Sequence, residues 1–254
     1  MTKIGIVVPT IGGRPEYLPL ALKSIREAGD AYILLVGNAD FNPTPLKNSG
    51  LIDEYLCEVE TGLAAKINFG FRSLPDSVEF INWLGDDDLL EPDSLRLAAT
   101  ILEGDSRVAF VYGGCEYIDH LGRPIWLQKS GAWAVPLLRF GPQLVPHPGS
   151  LYRRTAFDAI GGLDTKYGWA FDFKLFLGLS KIGKAVFVNK TLAKFRWHPG
   201  SLSVGRRRES VKEASRVRVE NLPNWLKPIS PVWEWPVMQA TYWAGIRLSR
   251  RLEH

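Results

Sequence analysis

Short apolar runs alternate with amphipathic segments over the first 112 residues of the chain. Residues 4–8 form a nearly continuous β-branched run, which is typical of a strand buried on both faces. Leu18, Leu22 and Ile25 then recur at helical spacing. A second apolar run follows at residues 32–36. This order of strand, helix and strand predicts a parallel pair with a right-handed crossover.

The alternation continues beyond the first crossover. Further strands are predicted at 51–59, 78–84 and 108–112, and helices at 63–71 and 92–103, the latter with Asp93 in its first turn. Such a pattern predicts a doubly wound α/β sheet, whose ligands bind beyond the carboxyl ends of the strands. The loop at 9–14 and the acidic segment Asp86 to Asp88 both follow strands, so we expect them to share one ligand.

The second half of the chain is less regular. It predicts a hairpin at 117–126 around Gly122, a loop-rich stretch at 133–151, a helix at 171–179, strands at 185–188 and 192–197, and a helix-like tail from 228 to 252. We therefore predict one domain at 1–203, with a doubly wound half at 1–112 and a loop-rich half at 113–203. A basic, Trp-containing helical tail follows at 204–254.

Charge is concentrated in this tail. The chain has a net charge of +4, and residues 204–254 hold ten Lys or Arg against five Asp or Glu. The tail helix has three predicted partners: its own domain, a second copy in a homodimer, or a membrane surface contacted peripherally through Trp and Arg. Nucleic acid is not an expected partner, because no recognised binding module is present.

Cysteine content and the start of the chain predict a cytoplasmic protein. Cys57 and Cys115 are too few for a disulfide framework, and the N-terminal apolar run is too short for a signal-peptide core. No apolar run approaches the roughly 20 residues of a spanning helix. Contact with a membrane would therefore be peripheral, at its inner face.

Three consecutive carboxylates, Asp86 to Asp88, end the apolar strand predicted at 78–84. Two like charges about 4 Å apart repel by roughly 4 kcal/mol at an effective dielectric of about 20. A triplet of this kind therefore invites a divalent cation, a proton or full solvation. The residues alone leave a metal site and a solvated acidic turn as alternatives.

An ordered set of motifs resembles the family-2 glycosyltransferases of the GT-A fold, over residues 3–203. The matching segments are 6–10, 14–18, 62–70, 83–88 with 91–93, 150–154 with 161–164, Asp172 with Leu175 and Leu179, and 196–198 with Ser201 and Ser203. The resemblance implies an α/β GT-A fold, in which 1–112 would be the nucleotide-binding half and 113–203 the acceptor half. It also implies inverting transfer of a hexosyl unit from a UDP-, GDP- or dTDP-sugar. The implied acceptor is a saccharide or a lipid-linked molecule, as in polysaccharide biosynthesis.

The resemblance also implies roles for particular residues. Mn²⁺ or Mg²⁺ would be held by Asp88, and Asp172 would be the catalytic base; its alternative is a simple helix cap. His198 follows a strand and precedes a Pro-Gly loop, so it is predicted as a ligand to the metal or the diphosphate, with a core histidine as the alternative. The nucleotide would be bound by Pro9, Thr10, Arg14, Asn38, Lys66, Asp86 and Asp87, with Asp86 at the ribose. A metal ion would neutralise the charge that builds on the departing diphosphate.

Other basic side chains fit the site less directly. His147 is a candidate for the acceptor side. The run from Arg206 to Arg208 is either a clamp over the diphosphate or a solvated basic face.

The sequence departs from the family pattern at three places. Gly37 and Asn38 stand where an acidic residue, followed by an acid or Asn, usually ends the second strand. Gly85 stands where many relatives carry Asp, and Phe171 replaces a Glu. These changes leave the donor base open and keep a second class of function in view, a non-catalytic saccharide- or partner-binding module. A nucleotidylyltransferase is disfavoured, because the loop at 9–14 lacks the expected Gly-rich, Lys-containing sequence.

Overall fold

Strands from both halves of the chain form one mixed sheet. The computed structural model describes residues 2–58, 60–198 and 206–250. The strands are β1 (Ile4–Pro9), β2 (Ala31–Gly37), β3 (Glu54–Cys57), β4 (Phe80–Trp83), β5 (Leu89–Leu90), β6 (Val108–Ile118), β7 (Pro124–Gln128), β8 (Leu151–Arg153) and β9 (Lys184–Arg196). The helices are α1 (Leu18–Ala28), α2 (Thr44–Asn48), α3 (Leu63–Arg72), α4 (Ser94–Gly104), α5 (Ala134–Leu137), α6 (Arg154–Ala159), α7 (Phe171–Ile182), α8 (Arg207–Asn221) and α9 (Pro231–Arg250), with a 3₁₀ turn at Lys227–Ile229.

The sheet order is β3-β2-β1-β4-β8-β6-β9-β5, and β7 pairs with β6. Strands β1 to β4 run parallel, whereas β8 is antiparallel to both β4 and β6. Because β8 lies between β4 and β6, the two predicted halves share one sheet. Val7 of β1 is in register with Trp83 of β4, so the carboxyl ends of these strands lie side by side.

The β-branched sequence of β1 is explained by burial on both faces of the sheet. Ile6 and Val8 pack in the same cluster as Leu22 of α1. Val7 points to the opposite face and packs in the cluster that contains Ile67 of α3. Because successive side chains of a strand alternate between faces, every position of β1 meets a core. Burying each such side chain contributes about 1.5–3 kcal/mol.

The tail helices α8 and α9 pack onto the sheet domain. Arg218 of α8 and Glu234 of α9 form a buried ion pair with 2.8 Å between Nη2 and Oε2. Ser215 donates a further hydrogen bond to Glu234 at 2.6 Å. Within the described ranges, no helix combines the length and apolar character that crossing a bilayer requires.

Most predicted elements are confirmed, including the hairpin turn at Gly122, whose positive φ of 85° suits glycine. Three details were wrong. Asp93 precedes α4 with a left-handed φ of 61°, which Asp tolerates better than most residues. The two strands predicted at 185–188 and 192–197 form the single strand β9. Of the strand predicted at 51–59, only β3 forms, and Val59 lies outside the described residues.

Candidate active site

The carboxyl end of β4 carries the aspartate triplet into the protein interior. Asp86, Asp87 and Asp88 are all buried. Trp83, the last residue of β4, pairs with β1, so the triplet lies next to the loop that follows β1. Three buried carboxylates require hydrogen-bond donors or cations around them. The surrounding side chains supply part of that compensation.

Two residues of the β1 loop bind Asp86. The Thr10 hydroxyl donates to Oδ2 at 2.6 Å, and the Arg14 guanidinium donates to Oδ1 at 2.6 Å. The same Arg14 nitrogen lies 2.9 Å from Oδ2 of Asp87. Thr10 is itself fixed by its N–H, which donates to the carbonyl of Val36 on β2. The predicted juxtaposition of the loop and the triplet is therefore present in the structure.

The end of β9 closes the site from the other side. Nε2 of His198 lies 2.8 Å from Oδ2 of Asp87. The backbone N–H of Arg196 donates to Oδ1 of Asp88 at 2.9 Å, and its Nε donates to the carbonyl of Asp87. The Arg196 guanidinium also stacks 4.4 Å from the ring centre of Tyr17. Asp87 therefore joins the β1 loop to the end of β9.

Asp88 is the member of the triplet whose charge is least compensated. Burial raises its pKa well above the usual range, and repulsion from Asp87 and Asp86 raises it further. The N–H of Arg196 opposes this shift only in part. The pocket therefore favours an additional positive charge next to Asp88.

The absence of a side chain at Gly85 leaves room beside two carboxylates. A Cβ atom at this position would lie 2.9 Å from Oδ1 of Asp87 and 3.0 Å from Oδ2 of Asp88. A side chain at residue 85 would displace these oxygens. The departure from the family pattern at Gly85 therefore has a steric reason in this chain.

Carboxylate oxygens and an imidazole nitrogen are suitable ligands for Mn²⁺, and the oxygens suit Mg²⁺. Asp87, Asp88 and His198 supply this donor set: His198 contacts Asp87, and the Asp87 and Asp88 carboxylates both lie next to Gly85. In the parts of the chain that are described, no three His, Cys, Asp or Glu side chains are arranged as a ready metal cluster. The fit therefore rests on the donor chemistry and on the uncompensated charge at Asp88.

The other predicted nucleotide-binding residues lie at neighbouring strand ends. Pro9 ends β1, and Asn38 directly follows β2. Lys66, in the first turn of α3, forms an ion pair of 2.5 Å with Glu58. The N–H of Glu58 donates to the carbonyl of Gly37 at 2.7 Å. Glu58 was not predicted, although it follows a strand and brings a carboxylate beside the end of β2.

Asp172 lies in the first turn of α7. Gln143 donates to its Oδ2 at 2.8 Å, and the N–H of Phe173 donates to Oδ1 at 2.7 Å. Burial raises the pKa of Asp172 to about 6, against the opposing effect of the Gln143 hydrogen bond. The neighbouring Phe171 ring is centred 5.7 Å from the ring of Trp83. Trp83 therefore connects the helix that carries Asp172 to the strand that carries the aspartate triplet.

A residue of the predicted tail positions the start of α7. The Glu213 carboxylate on α8 accepts hydrogen bonds from the backbone N–H groups of Gly168, Trp169 and Ala170, at 2.8–3.1 Å. These three residues directly precede α7. Glu213 therefore caps the N-terminal end of α7, although it lies in a distant part of the chain. A helical tail was predicted at 204–254, but the bounds of α8 and the role of Glu213 were not, because the segment is strongly polar and the contact spans more than forty residues.

His147 stacks on Trp83, with ring centres 3.4 Å apart. Burial lowers the pKa of His147 to about 3, so the imidazole is neutral at physiological pH. Its Nε2 is buried and has no hydrogen-bond partner among the residues described. This position, against the last residue of β4, keeps His147 a candidate for the acceptor side.

The arginines predicted as a clamp each lie over a different aromatic ring. The guanidinium groups are 5.8–5.9 Å from the ring centres of Trp169, Trp197 and Tyr242, for Arg206, Arg207 and Arg208 in turn. Ser201 and Ser203 of the predicted closing motif lie outside the described residues. The role of the arginines at a diphosphate stays a prediction.

No protein-family model matches the chain, and the search of curated proteins found no match. Solved structures do match. TarS from S. aureus has a TM-score of 0.61 at 14% identity, over 89% of this chain and 41% of that chain. TarS 1–349 in complex with UDP has a TM-score of 0.62 at 13% identity, over 89% and 68%.

Mannosyltransferase PcManGT from Pyrobaculum calidifontis, in complex with GDP-Man and Mn²⁺, has a TM-score of 0.63 at 16% identity. The alignment covers 98% of this chain and 75% of that chain. At these identities the likeness concerns the fold. The chain thus has the mixed α/β architecture, with a Rossmann-like sheet, that these structures share, which confirms the predicted fold class.

Proposed function

We propose that the protein is a metal-dependent, inverting glycosyltransferase that moves a hexosyl unit from a nucleoside-diphosphate sugar to a saccharide or lipid-linked acceptor. One observation carries the proposal: Trp83 links the buried aspartate triplet to the helix start at Asp172, whose pKa is raised to about 6. The candidate metal site at the aspartate triplet and the candidate base Asp172 therefore lie in the same region of the molecule. The fold shared with proteins bound to UDP, and to GDP-Man with Mn²⁺, supports the donor class.

Asp88, Asp87 and His198 would hold Mn²⁺ or Mg²⁺. The sequence suggests Asp88 and His198 for this task, and the 2.8 Å contact between His198 and Asp87 supports adding Asp87. When bound, the ion would supply Lewis-acid stabilisation of the negative charge on the departing diphosphate. Placing a cation there also offsets the repulsion that raises the pKa of Asp88.

The nucleotide would lie along the carboxyl ends of β1 and β2. Asp86, held by Thr10 and Arg14, would accept hydrogen bonds from the ribose hydroxyls. Pro9, Asn38 and Lys66 would surround the base. The Glu58 carboxylate could accept an N–H of uracil, thymine or guanine, so the donor base remains a choice among UDP-, GDP- and dTDP-sugars.

Asp172 would remove the proton from the attacking acceptor hydroxyl. A carboxylate with a pKa of about 6 is deprotonated at neutral pH and is a stronger base than an ordinary aspartate. Gln143 holds the carboxylate in one orientation. Attack by that hydroxyl opposite the leaving diphosphate gives inversion in a single displacement.

The test is a transfer assay with purified protein, Mn²⁺, a panel of UDP-, GDP- and dTDP-sugars, and saccharide and lipid-linked acceptors. We expect metal-dependent release of one nucleoside diphosphate that increases with acceptor. A protein that neither binds nor turns over any donor would instead be a non-catalytic binding module.

A further inference from the structure

The outward face of α9 is largely apolar, and Gln239 is the exposed polar side chain within it. Exposed side chains recur every three or four residues, which places them on one side of the helix. We define this apolar stripe as Val232, Trp235, Pro236, Ala240, Trp243 and Ala244. Its three largest members are 78%, 67% and 54% exposed, for Val232, Trp235 and Trp243. An exposed apolar surface of this extent marks an interaction site.

α9 contributes no exposed carboxylate to this face, because its Glu234 points inward. Glu234 is buried and receives hydrogen bonds from Arg218 and Ser215. The described part of α9 contains no other Asp or Glu. Exposed Arg247 lies beyond the C-terminal end of the stripe, and partly exposed Lys227 lies before its start. The apolar stripe is therefore bordered by positive charge at both ends.

The segment before α9 extends the same kind of surface. Trp225 and Ile229 are 73% and 51% exposed. Trp225, Trp235 and Trp243 thus distribute three indole rings from one end of the segment to the other. Indole rings favour the boundary between lipid headgroups and acyl chains, and Lys and Arg favour the phosphates above it.

Two partners could cover the apolar stripe, a second copy of this chain or a lipid bilayer, and the charges at its ends distinguish between them. In a second copy of this chain, antiparallel pairing of two α9 helices would place Lys227 against Arg247, and parallel pairing would place Arg247 against Arg247. Both arrangements bring like charges together. A lipid bilayer with anionic headgroups instead offers an apolar interior for the stripe and negative charge for both ends.

We propose that the apolar stripe of α9 binds the surface of an anionic lipid bilayer, with the helix axis in the plane of the interface. Helices of this type bury one apolar face at the boundary between headgroups and acyl chains and do not span the membrane. This proposal is independent of the proposed transferase activity. A failure of either one leaves the other standing.

The C-terminal end of α9 is tied to the strand that carries the candidate metal ligand. Nε1 of Trp197 donates to the hydroxyl of Ser249 at 3.2 Å, and Arg207 donates to the same hydroxyl at 2.7 Å. Trp197 directly precedes His198. A bilayer bound to the apolar stripe would therefore lie close to the candidate active site.

The experiment is co-sedimentation of the full chain with phosphatidylcholine vesicles, with and without phosphatidylglycerol. We expect binding to the vesicles that contain phosphatidylglycerol, and weaker binding at high salt. The double variant Trp235→Glu with Trp243→Glu should lose at least about tenfold in affinity. Arg247→Gln should lose about fivefold, and only on the anionic vesicles.

Leu20→Glu is the matched control, because Leu20 is an exposed apolar residue, 51% accessible, on α1. It should sediment like the natural chain, and unchanged thermal unfolding of all variants would show that they fold. Failure of the natural chain to sediment, equal binding to neutral vesicles, or full binding by the double variant would each overturn the proposal. A dimer in light scattering that the double variant abolishes, without vesicle binding, would assign the stripe to a second copy instead.

Discussion

Nε2 of His198 lies 2.8 Å from Oδ2 of Asp87, although 110 residues separate them in the chain. The contact joins the end of β9 to the end of β4, on opposite sides of the candidate site. The distance is that of a hydrogen bond, and it is also short enough for the proposed sharing of one metal ion. Because of this contact, the aspartate triplet and the segment directly after β9 belong to one site.

Replacing either Asp87 or Asp88 should weaken binding of the metal ion. Asp87→Asn and Asp88→Asn should each weaken Mn²⁺ binding at least about tenfold, because each removes a negative charge and a ligand oxygen. Isothermal titration with Mn²⁺ in the presence of the preferred nucleoside diphosphate measures the change. Asp93→Asn is the matched control, because Asp93 is exposed and Asn tolerates its left-handed backbone equally well. Unchanged Mn²⁺ affinity in Asp88→Asn would remove that residue from the metal site.

The Asp172→Asn variant should separate donor binding from transfer. Donor affinity should stay within about twofold, whereas transfer should fall by about 10²–10⁴-fold, as expected for loss of a general base. The raised pKa also means that ionised Asp172 destabilises the fold once the pH exceeds about 4. The Asn variant should therefore be more stable than the natural chain at pH 8, by about 3 kcal/mol. A variant with near-normal turnover would exclude Asp172 as the base.

Transfer should depend on pH through Asp172. Because the base acts only when deprotonated, kcat/KM, which reports groups of the free enzyme, should rise as the pH increases through about 6 and then level off. Gln143→Leu removes a hydrogen bond that lowers the pKa of Asp172, so the rise should move to higher pH. Steady-state rates between pH 5 and 9, in roughly half-unit steps, give both profiles. If the rise in rate has the same apparent pKa in Gln143→Leu as in the natural chain, the assignment of Asp172 as the base would be contradicted.

Glu213 should act on transfer through the start of α7. Glu213→Ala leaves three backbone N–H groups without their acceptor, so it should lower the free energy of unfolding by about 1–2 kcal/mol. It should also lower kcat more than it raises the KM for donor, because Asp172 lies on the displaced turn. Glu209→Ala, at an exposed position of the same helix, is the control. A stability loss without any change in kcat would limit Glu213 to a structural role.

Local sequence signals were sufficient for the first half of the fold. The β-branched run of β1 and the spacing of Leu18, Leu22 and Ile25 depend only on neighbouring residues, and both elements formed as predicted. Topology then placed Thr10 and Asp86 together, because parallel strands end at the same edge of a sheet. Residues at strand ends are therefore the part of the site that sequence predicts best.

The supporting residues could not be predicted in the same way. Gln143 reaches Asp172 from a loop, and Glu213 reaches the start of α7 from a polar helix with little apolar periodicity. Glu58 lies at a strand end, but its pairing with Lys66 depends on where α3 packs. Such contacts are decided by tertiary packing, and no local period in the sequence reports them.

The central claim is that a divalent metal ion and a nucleoside diphosphate bind together at the aspartate triplet. Titration of UDP, GDP and dTDP into the purified chain, with Mn²⁺ or with EDTA, tests it most directly. We predict that at least one of the three binds with Mn²⁺ and loses at least about tenfold in affinity with EDTA or in Asp88→Asn. Absence of binding by all three with Mn²⁺ present, or binding that EDTA leaves unchanged, would contradict the account.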